Sequence, residues 1–433
     1  VASTASADAF DPTANADQAT EVLDEQSQFD IITRIIKYSL TDGVEGQVES
    51  FRIITLGGWS SGLSIERSKP RCFTARPLDR FNELSTALDC QLLLYQSGSR
   101  FVACFPLSLP DASSTLRGCS EGSDSVWLRS ERENSSPAQA QCVVSWGPDY
   151  DLLGVIDACT AAAKRIIDES AGQRTNRQPE VIDEVAEPKW SLAQVSKAIY
   201  CTWNSLGQDY TYSGLVRRLE ALRDGGDLGY FGSLLLDDGW QDVTVSLEAD
   251  NPRSLRTFGL REGWLDEDIP TLDGQSKLAA VVRSLKHRFP EIRTIGVWMT
   301  LQGYWRGLHP DSDISKTYKL KRYGLRDNQS QYPYPPPFRH IFLPAPEDVT
   351  RYWTDYLKAL KAAGIGFVKV DNQAALDYLV GEGAAALRGK MSRTARAVAL
   401  EVFGPGNLIN CMAGSPRNYN AFLSAKSEPH ASL

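Results

Sequence analysis

Residues 368–373 read VKVDNQ, a lysine and an aspartate one residue apart at the end of the apolar run AGIGFVKVD. Successive side chains on a strand point to opposite faces. If Val368 and Val370 face covering helices, Lys369 and Asp371 share the other face. An ammonium beside a carboxylate favours the ionised carboxylate and lowers its pKa. Such an aspartate suits nucleophilic or electrostatic chemistry. The plainer reading of the same pair is an ion pair fixing a buried core. A second stretch, LLLDDGWQ (234–241), places Asp237 and Asp238 at another strand end, followed by Gly239 and Trp240. Paired carboxylates chelate neighbouring sugar hydroxyls, and an indole stacks on a sugar face. Here the plainer reading is a loop-capping Asp and a core Trp. Trp203, Trp298 and Trp305 also fall at or just past strand ends, where aromatic packing is the default and a sugar-lined crater is the alternative.

The elements that must position these groups follow from the pattern. After about residue 195, apolar strands alternate with amphipathic helices: KAIYCTW (197–203), a helix over 213–222 capped by Ser213, GSLLLDD (232–238), a helix around Leu278–Leu285, TIGVWMT (294–300), a helix capped by Asp348, FVKVD, a helix over 383–402, and LINCMA (408–413). That rhythm predicts a parallel sheet buried on both faces. Long connections at 242–273 and 303–346 follow strands, as in a (β/α)8 barrel, whose site sits at the C-terminal ends of its strands. A doubly wound sheet is the competitor, and no Gly-rich phosphate loop follows the first strand. Residues 28–170 carry short alternating segments, FRIITL, CQLLLYQ, RFVACFPLSL, SVWLRSE and QCVVSWG, and then a helical run. They predict a β-sandwich domain. Residues 1–27 read as a disordered tail and 171–194 as a polar linker; the catalytic barrel then spans 195–433. The expected class is multidomain, β plus α/β: an N-terminal β-sandwich followed by an incomplete (β/α)8 barrel.

Composition narrows the partners. The 433-residue chain carries a net charge of −8, which argues against nucleic acid or an anionic membrane as partner. No apolar run reaches the length of a membrane helix. Eight cysteines without a CxxC pair and four histidines predict no metal site, with free thiols in a reducing compartment. Cytoplasmic location is the expectation, with secretion left open because the chain opens on Val1.

The segments CTWNSLGQDYT (201–211), LLLDDGWQDV (234–243), IGVWMTLQGYWRGLHPD (295–311), VKVDNQ (368–373) and INCMAGS (409–415) resemble the raffinose synthase/seed imbibition protein family, relatives of the α-galactosidases of glycoside hydrolase family 36, in a fungal-type variant. The resemblance runs from about residue 45 to about 420. It implies a retaining glycosidase acting on α-galactosides such as raffinose-family oligosaccharides, with a small carbohydrate as partner and no cofactor. If a sugar hydroxyl replaces water as acceptor, the implied reaction is galactosyl transfer, as in raffinose synthase. By the resemblance Asp371 is the nucleophile, Lys369 contacts galactose hydroxyls, Asp237 and Asp238 bind the far side of the sugar with Trp240 beside them, and Trp203, Trp298 and Cys411 line the pocket. Met299 stands where the family usually has His and takes no catalytic role. The family's acid/base motif has no clear counterpart. Glu428 in SAKSEPHASL (424–433) is the weak candidate, and a glutamate in a frayed tail is its plainer reading. Five or six strands predict a barrel truncated after them, and with it a catalytically incomplete, sugar-binding fragment as a further alternative.

Overall fold

The computed structural model describes most of residues 11–172, with short interruptions, and residues 197–244, 253–325 and 340–411. The described residues fall into two compact units, one within residues 11–172 and one within residues 197–411. The first is built from β1 (Glu21–Gln26), β2 (Ile32–Ser39), β3 (Val48–Thr55), β4 (Trp59–Lys69), β5 (Cys72–Leu78), β6 (Cys90–Ser97), β7 (Arg100–Leu107), β8 (Ala112–Gly118), β9 (Ser125–Arg132), β10 (Gln139–Pro148) and α1 (Leu152–Gly172). All strand pairs are antiparallel, in the order β1-β2-β10-β7-β6-β8-β9-β3, with β4 joining β6 to β5. Among the described residues, β6 and β8 meet at one pair, Cys90 with Leu116.

Alternation sorts the side chains. Tyr38, Cys104, Val144 and Trp146 pack with Leu116 and Leu128 into one core, while Val143, Phe105 and Leu94 pack on the opposite face against Val155 and Cys159 of α1. Period-two patterning thus gives the sheet two buried faces. One expectation is corrected here. Glu21–Gln26 lies inside the stretch read as a disordered tail, yet it pairs antiparallel with β2 from Glu21↔Lys37 to Gln26↔Ile32. The Ala/Ser/Asp composition of residues 1–27 averaged away a six-residue strand. The linker read over 171–194 falls almost wholly outside the described residues.

The second unit carries the β/α alternation: β11 (Ala198–Cys201), α2 (Tyr212–Asp224), β12 (Phe231–Leu236), β13 (Gln241–Val243), β14 (Leu255–Leu260), α3 (Lys277–Arg288), β15 (Thr294–Thr300), β16 (Leu320–Leu325), β17 (His340–Pro344), α4 (Val349–Ala362), β18 (Phe367–Asp371), β19 (Leu379–Val380), α5 (Ala384–Phe403) and β20 (Leu408–Asn410). Strands β11-β12-β15-β18-β20 form one parallel sheet in chain order. The two long connections carry strands of their own. One holds the β13–β14 hairpin and the other β16 and β17, which β19 joins.

The helices bury their apolar stripes as their spacing requires. Leu215 and Leu219, Leu278, Val282 and Leu285, and Tyr352, Tyr356 and Leu360 share one core with Val368 and Val370. Two caps differ from expectation. Thr211, not Ser213, caps α2 by accepting from the Gly214 N–H at 3.3 Å; the Ser213 hydroxyl donates to Asp266 at 2.6 Å. Asp348 precedes α4 without capping it, and its carboxylate accepts the Lys319 N–H at 2.7 Å. Both hydroxyls and carboxylates near a helix start have rival backbone donors within reach, so residue type alone does not choose among them.

Gly296 pairs with Phe367 across β15 and β18. A Cβ at 296 would stand 2.3–2.5 Å from the Phe367 ring. The missing side chain lets that ring lie one layer below Lys369. Gly296→Ala is expected to destabilise the protein by about 1–3 kcal/mol, and Phe367→Leu in the same chain to recover part of the loss. Urea unfolding of the two variants checks this.

Candidate functional site

The C-terminal ends of the five parallel strands deliver the chemistry. Lys369, the middle residue of β18, reaches past the neighbouring strand β15 to Asp237, just beyond β12: Nζ donates to Oδ2 at 2.9 Å. Both are buried, at 8% and 2% exposure. Burial works against the charge on Lys369, yet the Asp237 carboxylate, through charge and hydrogen bond, holds its pKa above the ordinary lysine value. Asp237 also accepts from the Cys201 thiol at 3.2 Å. Its other oxygen accepts the Asp238 N–H at 2.9 Å, and its own N–H donates to Thr202 Oγ1 at 2.9 Å. Both oxygens of Asp237 thus have donors, as a buried carboxylate requires.

Asp371 ends β18 and is buried at 5% exposure. Trp298 Nε1 donates to its Oδ2 at 2.9 Å, and the Asn372 N–H donates to Oδ1 at 2.5 Å. Asn372 takes the left-handed conformation, φ 52°, which Asn tolerates better than most residues. That twist turns its N–H back onto the carboxylate. Two donors on two oxygens fix the plane of the Asp371 carboxylate.

Asp238 sits in a third arrangement. Tyr304 OH donates to Oδ1 at 2.7 Å; Trp305 Nε1 and Gln208 Nε2 donate to Oδ2 at 2.7 and 2.6 Å. Burial raises its pKa, against the lowering pull of those hydrogen bonds and of the nearby Arg253 charge. The Arg253 guanidinium in turn donates to Gln208 Oε1 at 2.9 Å. Aromatic rings join this corner to that of Asp371: Trp298 lies edge-on to Tyr304 at 5.8 Å and tilted against Trp305 at 5.7 Å. Gly239 makes the sharp turn after the aspartates, with φ 121° and the Gln208 carbonyl where a Cβ would sit.

Two thiols flank the cluster. Burial, then the Asp237 charge, pushes Cys201 up to about 11. Burial, then the Asp371 charge, pushes Cys411 up to about 12. The Cys411 N–H donates to the Val370 carbonyl at 2.9 Å, which docks the end of β20 beside β18.

The structure therefore brings Asp237, Asp238, Lys369, Asp371, Trp298 and Cys411 together. Trp240 goes elsewhere than expected. It is fully buried and its indole N–H donates to the Trp298 carbonyl at 2.9 Å, so it takes the core reading and props β15 instead of stacking on a sugar. Trp203 opens a one-turn helix just past β11 and is 45% exposed; its neighbours Cys201 and Thr202 make the ties to Asp237. Met299 is fully buried in the core of the second unit. Glu428 lies outside the described residues. Sequence reasoning missed Cys201, Gln208 and Tyr304 as partners of the aspartates. The available signal was position, since all three fall in quoted motifs at or just past strand ends.

Two outcomes test this electrostatic frame. Lys369→Met strands the buried Asp237 carboxylate and is expected to cost about 3–5 kcal/mol in urea unfolding at pH 7. The raised folded pKa of Lys369 means the pair's contribution is complete below the unfolded value, about 10.4, and is lost as pH rises through the higher folded value. The gap between wild type and variant should therefore close in strong alkali and stay open at neutral pH. Cys201 and Cys411, held as neutral thiols, are expected to resist iodoacetamide at pH 7 in the native protein and to react fully in urea, as peptide mass spectrometry would show.

Comparison with known proteins identifies the family. The family described as raffinose synthase or seed imbibition protein Sip1 matches residues 183–427, more than half of the chain. A probable galactinol–sucrose galactosyltransferase 6 of Arabidopsis thaliana is 27% identical over 193 residues, 42% of this chain and 25% of that protein. A probable galactinol–sucrose galactosyltransferase 1 from the same plant is 22% identical over 357 residues, 76% of this chain and 44% of that protein. The chain thus spans less than half the length of these relatives. Among solved structures, an α-galactosidase from Thermus thermophilus in complex with stachyose aligns over 92% of this chain and 76% of its own, with 13% identity and a TM-score of 0.48. On the match across residues 183–427, which contains every strand of the parallel sheet and each of the clustered aspartates, the chain belongs to the raffinose synthase/seed imbibition protein family.

Proposed function

We propose that the second unit binds the galactosyl group of an α-galactoside and transfers it with retention of configuration, Asp371 acting as nucleophile. The observation that carries this reading is the Asp371 carboxylate, held in plane by Trp298 and Asn372 at a strand's C-terminal end beside the buried Lys369–Asp237 pair. Family membership supports the substrate class. On this reading Lys369 and Asp237 face the hydroxyls of the sugar. Asp238 acts with Tyr304, Trp305 and Gln208, and its three donors leave it a smaller share of direct contact. Cys411 closes one side. The fold proposed with this function is a β-sandwich followed by the first five strands of a (β/α)8 barrel; the chain-order parallel sheet with helices between its strands supports it.

An Asp371 oxygen forms a bond to the anomeric carbon as the leaving-group oxygen departs with the bonding pair and takes a proton from a general acid. An acceptor hydroxyl then attacks the same carbon, gives its proton to the conjugate base, and releases the Asp371 carboxylate. Glu428 stays the sequence-based candidate for that acid. Hydrolysis was the first expectation from the resemblance. The names of the relatives, galactinol–sucrose galactosyltransferases, favour a sugar hydroxyl as acceptor, and hydrolysis becomes the second reading.

α-Galactosyl fluoride tests the nucleophile without the acid, because fluoride leaves without a proton donor. Incubation should add the mass of one galactosyl residue on the peptide containing residues 367–373, and Asp371→Asn should give no adduct. An adduct on another residue, or none in the folded wild type, would overturn the assignment. Sucrose should discharge the adduct faster than buffer alone if the acceptor is a sugar, and at the same rate if it is water.

A further inference from the structure

One group of polar atoms beside the nucleophile has no role in the mechanism above. Strands β15 and β18 end together: Thr300 pairs with Asp371, and the Leu301 N–H donates to the Asp371 carbonyl at 3.1 Å. Within two residues of that pair stand three side chains that are completely buried, Thr300, Gln302 and Asn372. The Thr300 hydroxyl and both amide atoms of Gln302 and of Asn372 find no hydrogen-bond partner among the described residues. Nearby, Gln373 donates to the Val370 carbonyl at 2.9 Å and to Asn410 Oδ1 at 2.8 Å, while Asn410 Nδ2 is also without a partner, and Asp371 has a donor on each oxygen.

Orphaned buried polar atoms are rare because each costs about 1–3 kcal/mol. Five of them around one pair of strand ends call for a ligand. The set offers donors and acceptors together and no charge, so it suits a hydroxyl and not an ion. Thr300 supplies one hydroxyl, and each amide supplies an acceptor and two donors. The left-handed backbone of Asn372 strengthens the case. A non-glycine residue there is commonly retained where a site needs it, and here the same residue holds the nucleophile by its N–H.

We infer that Thr300, Gln302 and Asn372 form a recess that binds one hydroxyl group next to Asp371. The hydroxyl comes from an ordered water or from the sugar carried at Asp371. The sugar source rests on the function proposed above, and the water source does not.

Two variants separate the sources. Thr300→Val keeps the shape and removes the hydroxyl. Asn372→Gly removes the amide but keeps both the left-handed backbone and the N–H on Asp371. If a sugar hydroxyl fills the recess, each variant should slow adduct formation from α-galactosyl fluoride by roughly tenfold, while the urea midpoint of Thr300→Val matches or exceeds that of wild type. If a water fills it, the midpoint of Thr300→Val should fall, because the water loses a partner. Thr300→Val with wild-type midpoint and both variants with wild-type adduct rates would overturn the recess. A wild type that forms no adduct would overturn the proposed function instead, and the unfolding comparison would still decide for or against bound water.

Discussion

The ion pair between Lys369 and Asp237 is the constraint around which the parallel sheet is arranged. Its partners belong to strands that are not neighbours: β15 runs between β12 and β18. A lysine held at 8% exposure and an aspartate at 2% cannot stay charged in such a place without each other, because desolvating either alone is costly. Their 2.9 Å contact therefore requires β12, β15 and β18 to hold one register and one curvature. Gly296 makes room for Phe367 below the lysine, and Trp240 anchors the backbone of β15 at Trp298. Such a pair is weak support for stability in itself. Its consequence is positional: it pins a cation and a carboxylate at the mouth of the sheet, with Lys369 two residues along β18 from Asp371.

Around that pair the three aspartates are held in three different electrostatic states. Asp237 is neutralised by an ammonium. Asp238 is surrounded by uncharged donors with an arginine behind them, and burial lifts its pKa. Asp371 accepts from an indole N–H and a backbone N–H and, among the described residues, forms no ion pair. A carboxylate held in plane but not neutralised keeps its electron density available. That difference in partners assigns different work to residues of identical type.

Much of this was legible in the sequence. The strand Thr294–Thr300 and the strand ending at Asp371 were readable because continuous apolar runs bounded by Gly and Pro admit few other structures. The clustering of Lys369, Asp371, Asp237 and Asp238 followed from placing all four at strand ends. Long-range choices were not legible. Whether Trp240 faces a sugar or a core depends on which backbone carbonyl meets its N–H, and that carbonyl is 58 residues away in sequence. Gln208 and Tyr304 reach Asp238 from two different loops, 30 and 66 residues distant. The strand at Glu21–Gln26 was hidden because its order comes from pairing with β2, not from its own composition.

The central claim is that these groups converge on one sugar. Calorimetric titration of the intact chain with D-galactose tests it most directly, with D-glucose as the stereochemical control. The account predicts saturable heat at one site for galactose, weaker binding of glucose, and loss of the galactose heat in a folded Asp371→Asn, Lys369→Met double variant, whose paired changes remove both sides of the site. No heat with folded wild-type protein, or galactose binding undiminished in that variant, would contradict it.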